Sequence, residues 1–326
     1  MRNLFLRGVL AATSLALQLD AQVKITQGTN KVDVEIDGKP FTTLVYGADV
    51  PKPYMFPLRA VDGTIVTRGV PAAKEAGDSM DHPHQRAVWF AHDRVNGVDY
   101  WNNEFQYTEK QYGKMGHMFI TKVLKAAGGK KEGEIDFSAE WKDNENKVVL
   151  IEDRKTTFHS GGPNRIVDFD FTVTAKEAVT FGDGKDGVFG LRVASGLEEP
   201  GQKNQPTEPK RTGAMTSADG CKLEKECWGK QSNWMDYSGV VEGKNVGLAI
   251  MDHPSNPKHP TYWHSRGYGL FAANIFGVKQ FTKAGDGGVT LQPGEKMRFR
   301  YRVVIHSGDA ATAKLAALYD DYAKTK

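Results

Sequence analysis

The sequence predicts an all-β protein, a large antiparallel β-sandwich with a short C-terminal helix. Three observations predict it. Runs that alternate apolar and polar residues recur along the 326 residues, 35 glycines and 14 prolines stand ready to turn the chain between them, and helical periodicity is clear only at the C-terminus.

The first 21 residues, "MRNLFLRGVLAATSLALQLDA", place Arg2 and Arg7 ahead of an apolar run from Gly8 to Leu17, with the small Ala21 at a cleavage position. This is the pattern of a signal peptide, and it predicts a periplasmic or secreted protein. The apolar run is too short to span a hydrocarbon core of ~30 Å. From residue 22 onward a single domain is expected. "KVDVEID" puts Val32, Val34 and Ile36 on one face and Asp33 and Glu35 on the other, and "DGKP" turns the chain back into "FTTLVY". Similar strands follow at "EIDFSAEW", "VVLIEDRKTTF", "RIVDFDFTVTA", "VGLAIMDH" and "KMRFRYRVVIH". In the third of these Val167, Phe169, Phe171 and Val173 share one parity and predict the buried face. Glu198 to Gly220 is polar and rich in Pro and Gly, which predicts a long surface excursion at the edge of a site. After a cap at Ser307 or Asp309, Leu315, Leu318, Tyr319 and Tyr322 follow a helical stripe, so a helix is expected over about 309–324.

Composition excludes several function classes. The 43 Lys and Arg against 40 Asp and Glu leave a net charge of only +3, and no basic run tracks a phosphate backbone, which argues against nucleic acid as a partner. No Walker-type phosphate loop and no Gly-x-Ser-x-Gly elbow is present. "FGDGKDGVFG", residues 181–190, reads as a turn. In an oxidising compartment the only two cysteines, Cys221 and Cys227, are expected to form a small local bridge contributing about 2 kcal/mol. Two free buried thiols are the alternative.

Chemistry-bearing residues concentrate in two stretches. In "DHPHQRAVWFAHDRVNGVDYW", Asp81 to Trp101, an extended chain over 84–92 would point His84, Arg86, Val88, Phe90 and His92 to one face. His84 and Arg86 would then sit about 7 Å apart and His84 and His92 roughly 26 Å apart, so only the first pair, with His82 nearby, could share a site. Pro83 makes "DHPH" a strand entrance or edge. The second stretch, "DHPSNPKHPTYWHSRGYGLFAANIFG", repeats Asp-His-Pro at 252–254 and His-x-Arg at His264 and Arg266. The echo predicts two segments delivering matching polar groups to one cavity. Charges set among apolar residues cost several kcal/mol unless paired or solvated in a cleft. His117, His159 and His306, and His92 taken singly, read as structural hydrogen-bonding partners.

Such a cavity suits proton transfer. His84 and His264 are the candidate acid and base, Asp81 or Asp236 could orient an imidazole, and Arg86 and Arg266 could hold an anion or a developing oxyanion. His82, His92, Asn96, Asp99, Trp101, Asp236, Tyr262 and Asn274 are candidate substrate contacts, and an exposed Trp101, Tyr262 or Trp263 would offer a platform to a sugar. Alternatively His82, His84 and His264 could ligate zinc or copper.

Together with "KDGVFGLRVA", "WGKQSNWMDYSG" and "LQPGEKMRFRYRVVIH", these stretches resemble an exported bacterial family of unknown function catalogued as methane-oxygenase (PmoA)-like. The resemblance runs from about Phe41 to His306, and the motif Trp-His-x-Arg-x-Tyr-Gly at 263–269 is its most specific part. It implies a β-sandwich similar to the galactose-mutarotase type. Relatives usually read His-Pro-His-His-Arg-Gly, whereas Gln85 and Ala87 stand here. The expected function is therefore that of a secreted carbohydrate-active enzyme (hydrolysis, β-elimination or epimerisation) acting on a small-molecule or oligosaccharide substrate. A metal-dependent oxygenase or hydrolase and a non-catalytic glycan-binding protein are the alternatives.

Overall fold

Alternation gives strands such as Arg165–Ala175 one dry and one wet face, the central strands Val88–His92, Gly187–Arg192 and Leu270–Asn274 are buried on both, and the two sheets meet on their dry faces. The computed structural model describes residues 22–75, 77–203 and 205–326; the expected signal peptide, residues 1–21, lies outside them. One eight-stranded sheet runs, in spatial order, through Val23–Gln27, Lys31–Ile36, Lys39–Val45, Tyr54–Phe56, Val88–His92, Gly187–Arg192, Leu270–Asn274 and Tyr262–Trp263. The other runs through Ala214–Ser217, Trp234–Val241, Lys244–Asp252, Lys296–Ser307, Arg165–Ala175, Val148–His159, Glu132–Lys142 and His117–Ala127. The strand pairings are antiparallel, and the predicted large antiparallel β-sandwich is what forms.

The predicted parity holds where the two sheets face each other. Val167, Phe169, Phe171 and Val173 are buried, while Asp168 and Asp170 turn outward and pair with Arg302 and Arg298 on the neighbouring strand. Phe90 from the first sheet stacks on Phe171 from the second, with centroids 4.1 Å apart, and meets Trp141 and Phe299 edge-on. Each aromatic ring so buried contributes roughly 1.5–3 kcal/mol.

Helix Leu315–Tyr322 buries Leu315, Tyr319 and Tyr322 against Trp234, Ala249, Met251 and Val304 on the outer face of the second sheet. It is shorter than the expected 309–324. Asp309 caps a turn by accepting from the Thr312 N–H at 2.8 Å, but Lys314 is left-handed at φ 55°, which keeps that turn from running into the helix.

The entrance to the central strand also differs from expectation. The strand covers only Val88–His92; before it the chain turns, with hydrogen bonds from Gln85 N–H to His82 O and from Arg86 N–H to His84 O. His82 and Ala87 take left-handed backbone at φ 44° and 43°, so the single face expected for His84, Arg86, Val88, Phe90 and His92 does not exist. Left-handed geometry costs a non-glycine residue roughly 1–2 kcal/mol. Ala87→Gly is expected to raise stability by up to about 1 kcal/mol, the relieved strain being partly offset by glycine's chain entropy. A thermal melt that moves the other way would place the strain elsewhere.

Residues 200–203 and 205–210 lie at the surface, as expected of an excursion, but the segment is anchored on both sides of them. Glu198 and Arg211 are buried, and Arg211 donates to the carbonyls of Pro206, Pro209 and Gly77. Cys221 and Cys227 form the expected bridge. It closes around helix Leu223–Cys227.

Candidate functional site

Two irregular segments meet beside the first sheet. One is the turn Asp81–Ala87. The other is the hairpin tip Arg266–Gly269, held by hydrogen bonds from Arg266 N–H to Leu270 O and from Gly269 N–H to Arg266 O, with Gly269 at φ 95°. Tyr268 at that tip is the contact between them. The His82 ring stacks on it with centroids 5.1 Å apart and 1° between planes. The guanidinium carbons of Arg192 and Arg266 lie 4.8 and 5.5 Å from its centroid.

His82 is oriented by Asp81. Its Nδ1 meets Asp81 Oδ2 at 2.8 Å, while Oδ1 accepts from Arg68 at 2.7 Å, Arg192 at 2.9 Å and Ser79 at 2.6 Å. Burial alone would favour a protonated carboxyl; the hydrogen bond from His82, the charge of Arg192, the Ser79 hydroxyl and the charge of Arg68 outweigh it and hold Asp81 well below the usual carboxylate range. An ionised Asp81 places the imidazole proton on Nδ1 and leaves Nε2 as the basic nitrogen. The His82 side chain is 42% exposed, and among the described residues Nε2 has no hydrogen-bond partner.

His84 lies behind it, edge-on at 5.6 Å, buried, with Nδ1 2.7 Å from the Tyr107 hydroxyl. His264 is also buried. Its Nδ1 takes a hydrogen bond from Trp228 Nε1–H at 3.3 Å, and because indole only donates, the His264 proton sits on Nε2, 3.7 Å from Asp186. Both rings are held well below 6.5, by burial first; nearby cations add to this, Lys52 and His82 for His84, Lys185, Arg266 and His82 for His264. Arg266 is part exposed and fixed by Glu224 at 2.6 Å.

Other predicted residues are occupied elsewhere. Arg86 is buried in a two-point ion pair with Glu104, both contacts at 2.8 Å, and lies over Tyr54. His92 donates Nε2–H to Gly182 O at 2.8 Å and packs on Phe276. Asn96 and Asp99 shape turns, Asn274 ties Gly184 and Lys185 to the start of helix Val278–Thr282, and Tyr262 stacks on Phe281. Trp101 and Trp263 are fully buried, so neither is a platform. Asp236 belongs to the second sheet, paired with His306 at 2.8 Å beside a separate cleft of ≈810 Å³ bordering the C-terminal helix. The second Asp-His-Pro serves a different end: Asp252 binds His259, Asn256 and Thr261, and His253 meets Arg300 and Thr325.

Sequence reasoning missed Arg68, Gln85, Tyr107, Arg192, Glu198 and Tyr268. The side-chain oxygen of Gln85 accepts from Arg192 at 2.6 Å and its carbonyl from Arg68 at 3.2 Å. A hollow of ≈450 Å³ opens beside this cluster, with Asp81, Tyr268, Glu198 and Gln205 in its lining and Lys74 and Lys203 bringing positive charge. Among the described residues no group of three or more His, Cys, Asp or Glu is arranged to hold a metal ion, so His82, His84 and His264 do not form the predicted ligand set. No helix there is long and apolar enough to cross a membrane.

Burial of the histidines makes stability pH-dependent. His84, His264 and His92, the last held at about 4, are neutral in the fold, whereas the unfolded chain takes up protons near 6.5. The unfolded state then binds more protons below that value, so stability present above pH 6.5 is lost as pH falls, by up to about 1.4 kcal/mol per pH unit for each ring. Asp93 works in the opposite direction, since burial, then the charges of Asp186 and Asp99, raise it to about 7. His117 and His253, also lowered by burial, add to the rings, while Asp99, Asp136, Glu198 and Glu199, raised by burial, add to Asp93; the histidines, which change charge nearest this range, predict a melting temperature that drops between pH 7 and 5.5. A flat profile would show that these rings are not buried and neutral.

Residues 31–320 match the model of a family of unknown function, DUF6807. None of the curated proteins matches the sequence. Among solved structures the chain is similar to a galactose mutarotase-like protein from Clostridium acetobutylicum, with TM-score 0.41 and 10% identity over 88% of this chain and 99% of the other. It is also similar to galactose 1-epimerase from Lactobacillus acidophilus (0.38, 8%, 89% and 100%) and to a GH36 alpha-galactosidase from Geobacillus stearothermophilus (0.39, 9%, 88% and 41%).

Proposed function

The chain belongs to the DUF6807 family, and from that premise we propose that it is an exported carbohydrate-active enzyme whose acid–base chemistry is carried by His82. The observation behind this reading is the Asp81–His82 pair: a part-exposed imidazole held by an ionised carboxylate at 2.8 Å, with its basic nitrogen unengaged among the described residues and its ring stacked on Tyr268. In that state Nε2 takes a proton from a substrate hydroxyl or from carbon next to a carbonyl. Asp81 stabilises the imidazolium that forms, and the same nitrogen returns the proton to substrate or leaving group. Arg266, part exposed over Tyr268, stabilises developing negative charge. His84 and His264, the initial candidates for proton transfer, are both buried, and we assign them to positioning: His84 backs the His82 ring, and His264 braces Trp228.

A hollow offering carboxylate and amide oxygens, lysine ammonium groups and an aromatic ring suits a polyhydroxylated ligand. The test is to incubate the protein in deuterated buffer with glucose, galactose, mannose, cellobiose and maltose and follow anomer ratio, deuterium uptake and bond cleavage by proton NMR. One of these is expected to proceed faster than in buffer and to stop in His82→Ala. Binding of a sugar with no change in any of the three over days would leave a glycan-binding protein instead.

A further inference from the structure

Arg192 is fully buried, and its Nη2 stands between two carboxylates: 2.9 Å from Asp81 Oδ1 and 3.7 Å from Glu198 Oε1. The first contact is a hydrogen bond; the second is too long to be one. Glu198 is 1% exposed, and its Oε2 accepts from Gln205 at 3.2 Å and Arg211 at 3.4 Å. Its Oε1 is buried with no hydrogen-bond partner among the described residues. Glu198 nonetheless lines the same ≈450 Å³ hollow as Asp81 and Tyr268. A buried carboxylate oxygen left without a donor is costly, and native proteins keep such groups where a water or a ligand completes them.

Resting on the acid–base reading of His82, we infer that this hollow is a substrate subsite in which Glu198 accepts a hydrogen bond from one sugar hydroxyl, so that Glu198 sets specificity while His82 carries the proton. Arg192 couples the two ends, since one guanidinium tip holds the carboxylate that orients His82 and faces the carboxylate that receives the hydroxyl. Tyr268 forms a common wall, stacked on His82 and lining the hollow. The ligand class is a neutral sugar with a hydroxyl donor at a fixed distance from the reacting group. A sugar lacking that hydroxyl leaves Glu198 unmet, and discrimination by such a site is roughly 10- to 100-fold or more.

The experiment titrates the five sugars named above into wild type, Glu198→Gln and His82→Ala by calorimetry, then repeats the titration with the monodeoxy forms of whichever sugar binds. The expected result has three parts. Glu198→Gln weakens binding at least tenfold, His82→Ala leaves binding within threefold while removing turnover, and one monodeoxy sugar loses at least tenfold in wild type but nothing further in Glu198→Gln. The deoxy series in wild type needs no mutation and stands even if Glu198→Gln folds poorly beside Arg192 and Arg211. Equal binding of all deoxy forms, or undiminished binding by Glu198→Gln, overturns the subsite and leaves the His82 reading intact. Failure of all five sugars to bind wild type overturns both.

Discussion

Glu104→Gln is expected to destabilise the protein by about 3–5 kcal/mol, the cost of leaving a buried charge without its partner. Glu104 is fully buried and binds Arg86 at two points. Lys52 is buried close by, its ammonium donating to Trp101 O, Asn103 O and Asn103 Oδ1. Burial first, then the charge of Arg86, push Lys52 down to about 7, and Glu104 and Asp99 pull the other way. Removing the Glu104 charge therefore strands Arg86 and makes Lys52 harder to protonate. Denaturant unfolding should show a lower midpoint with little change in slope. Replacing both partners, as in Arg86→Met with Glu104→Leu, should recover most of the loss, because two well-packed apolar groups avoid both desolvation penalties. A Glu104→Gln protein within 1 kcal/mol of wild type would mean that water reaches Arg86.

The second large effect is on turnover. His82→Ala is expected to lower kcat by roughly 10²- to 10⁴-fold, the range for removing a positioned general acid or base, and to leave the melting temperature nearly unchanged because the side chain is part exposed. Asp81→Asn should also cut kcat, yet it will not be silent in stability, since Asp81 receives hydrogen bonds from two buried arginines. The contrast separates orientation of the imidazole from support of the turn. His159→Ala is the control: His159 pairs with Asp168 on the outer face of the second sheet, so its loss should leave kcat alone. Equal activity in wild type and His82→Ala would remove His82 from the chemistry.

Much of the sandwich was legible because alternation is a local signal. A half-buried strand writes its dry face into its own sequence, as residues 165–175 do. The site was legible only where chemistry clusters along the chain, at Asp81, His82, His264 and Arg266. Arg68 and Arg192 gave no such signal: each is a lone charge in its own segment, and only the fold brings them beside Asp81, while Glu198 was marked only as the start of a polar excursion. Parity also misled at 84–87, since a strand was extended through a proline-containing turn whose left-handed residues, His82 and Ala87, carry no side-chain mark. The repeated Asp-His-Pro misled for a different reason. The same three residues can hold a turn at the proposed site or, as Asp252 and His253 do, tie the 252–261 loop together and fasten Thr325 near the C-terminus.

The small bridge at Cys221–Cys227 bears on how the protein should be made. It encloses Glu224, whose carboxylate grips both Arg266 and the Gly267 amide at 2.6 Å. Material prepared in a reducing cytosol would fold, because the loop contributes only about 2 kcal/mol, but its Arg266 would hang on a slackened tether. Batches from cytoplasmic and oxidising expression hosts should then melt at similar temperatures and differ in catalytic rate, so thiol content needs recording before any variant is judged inactive.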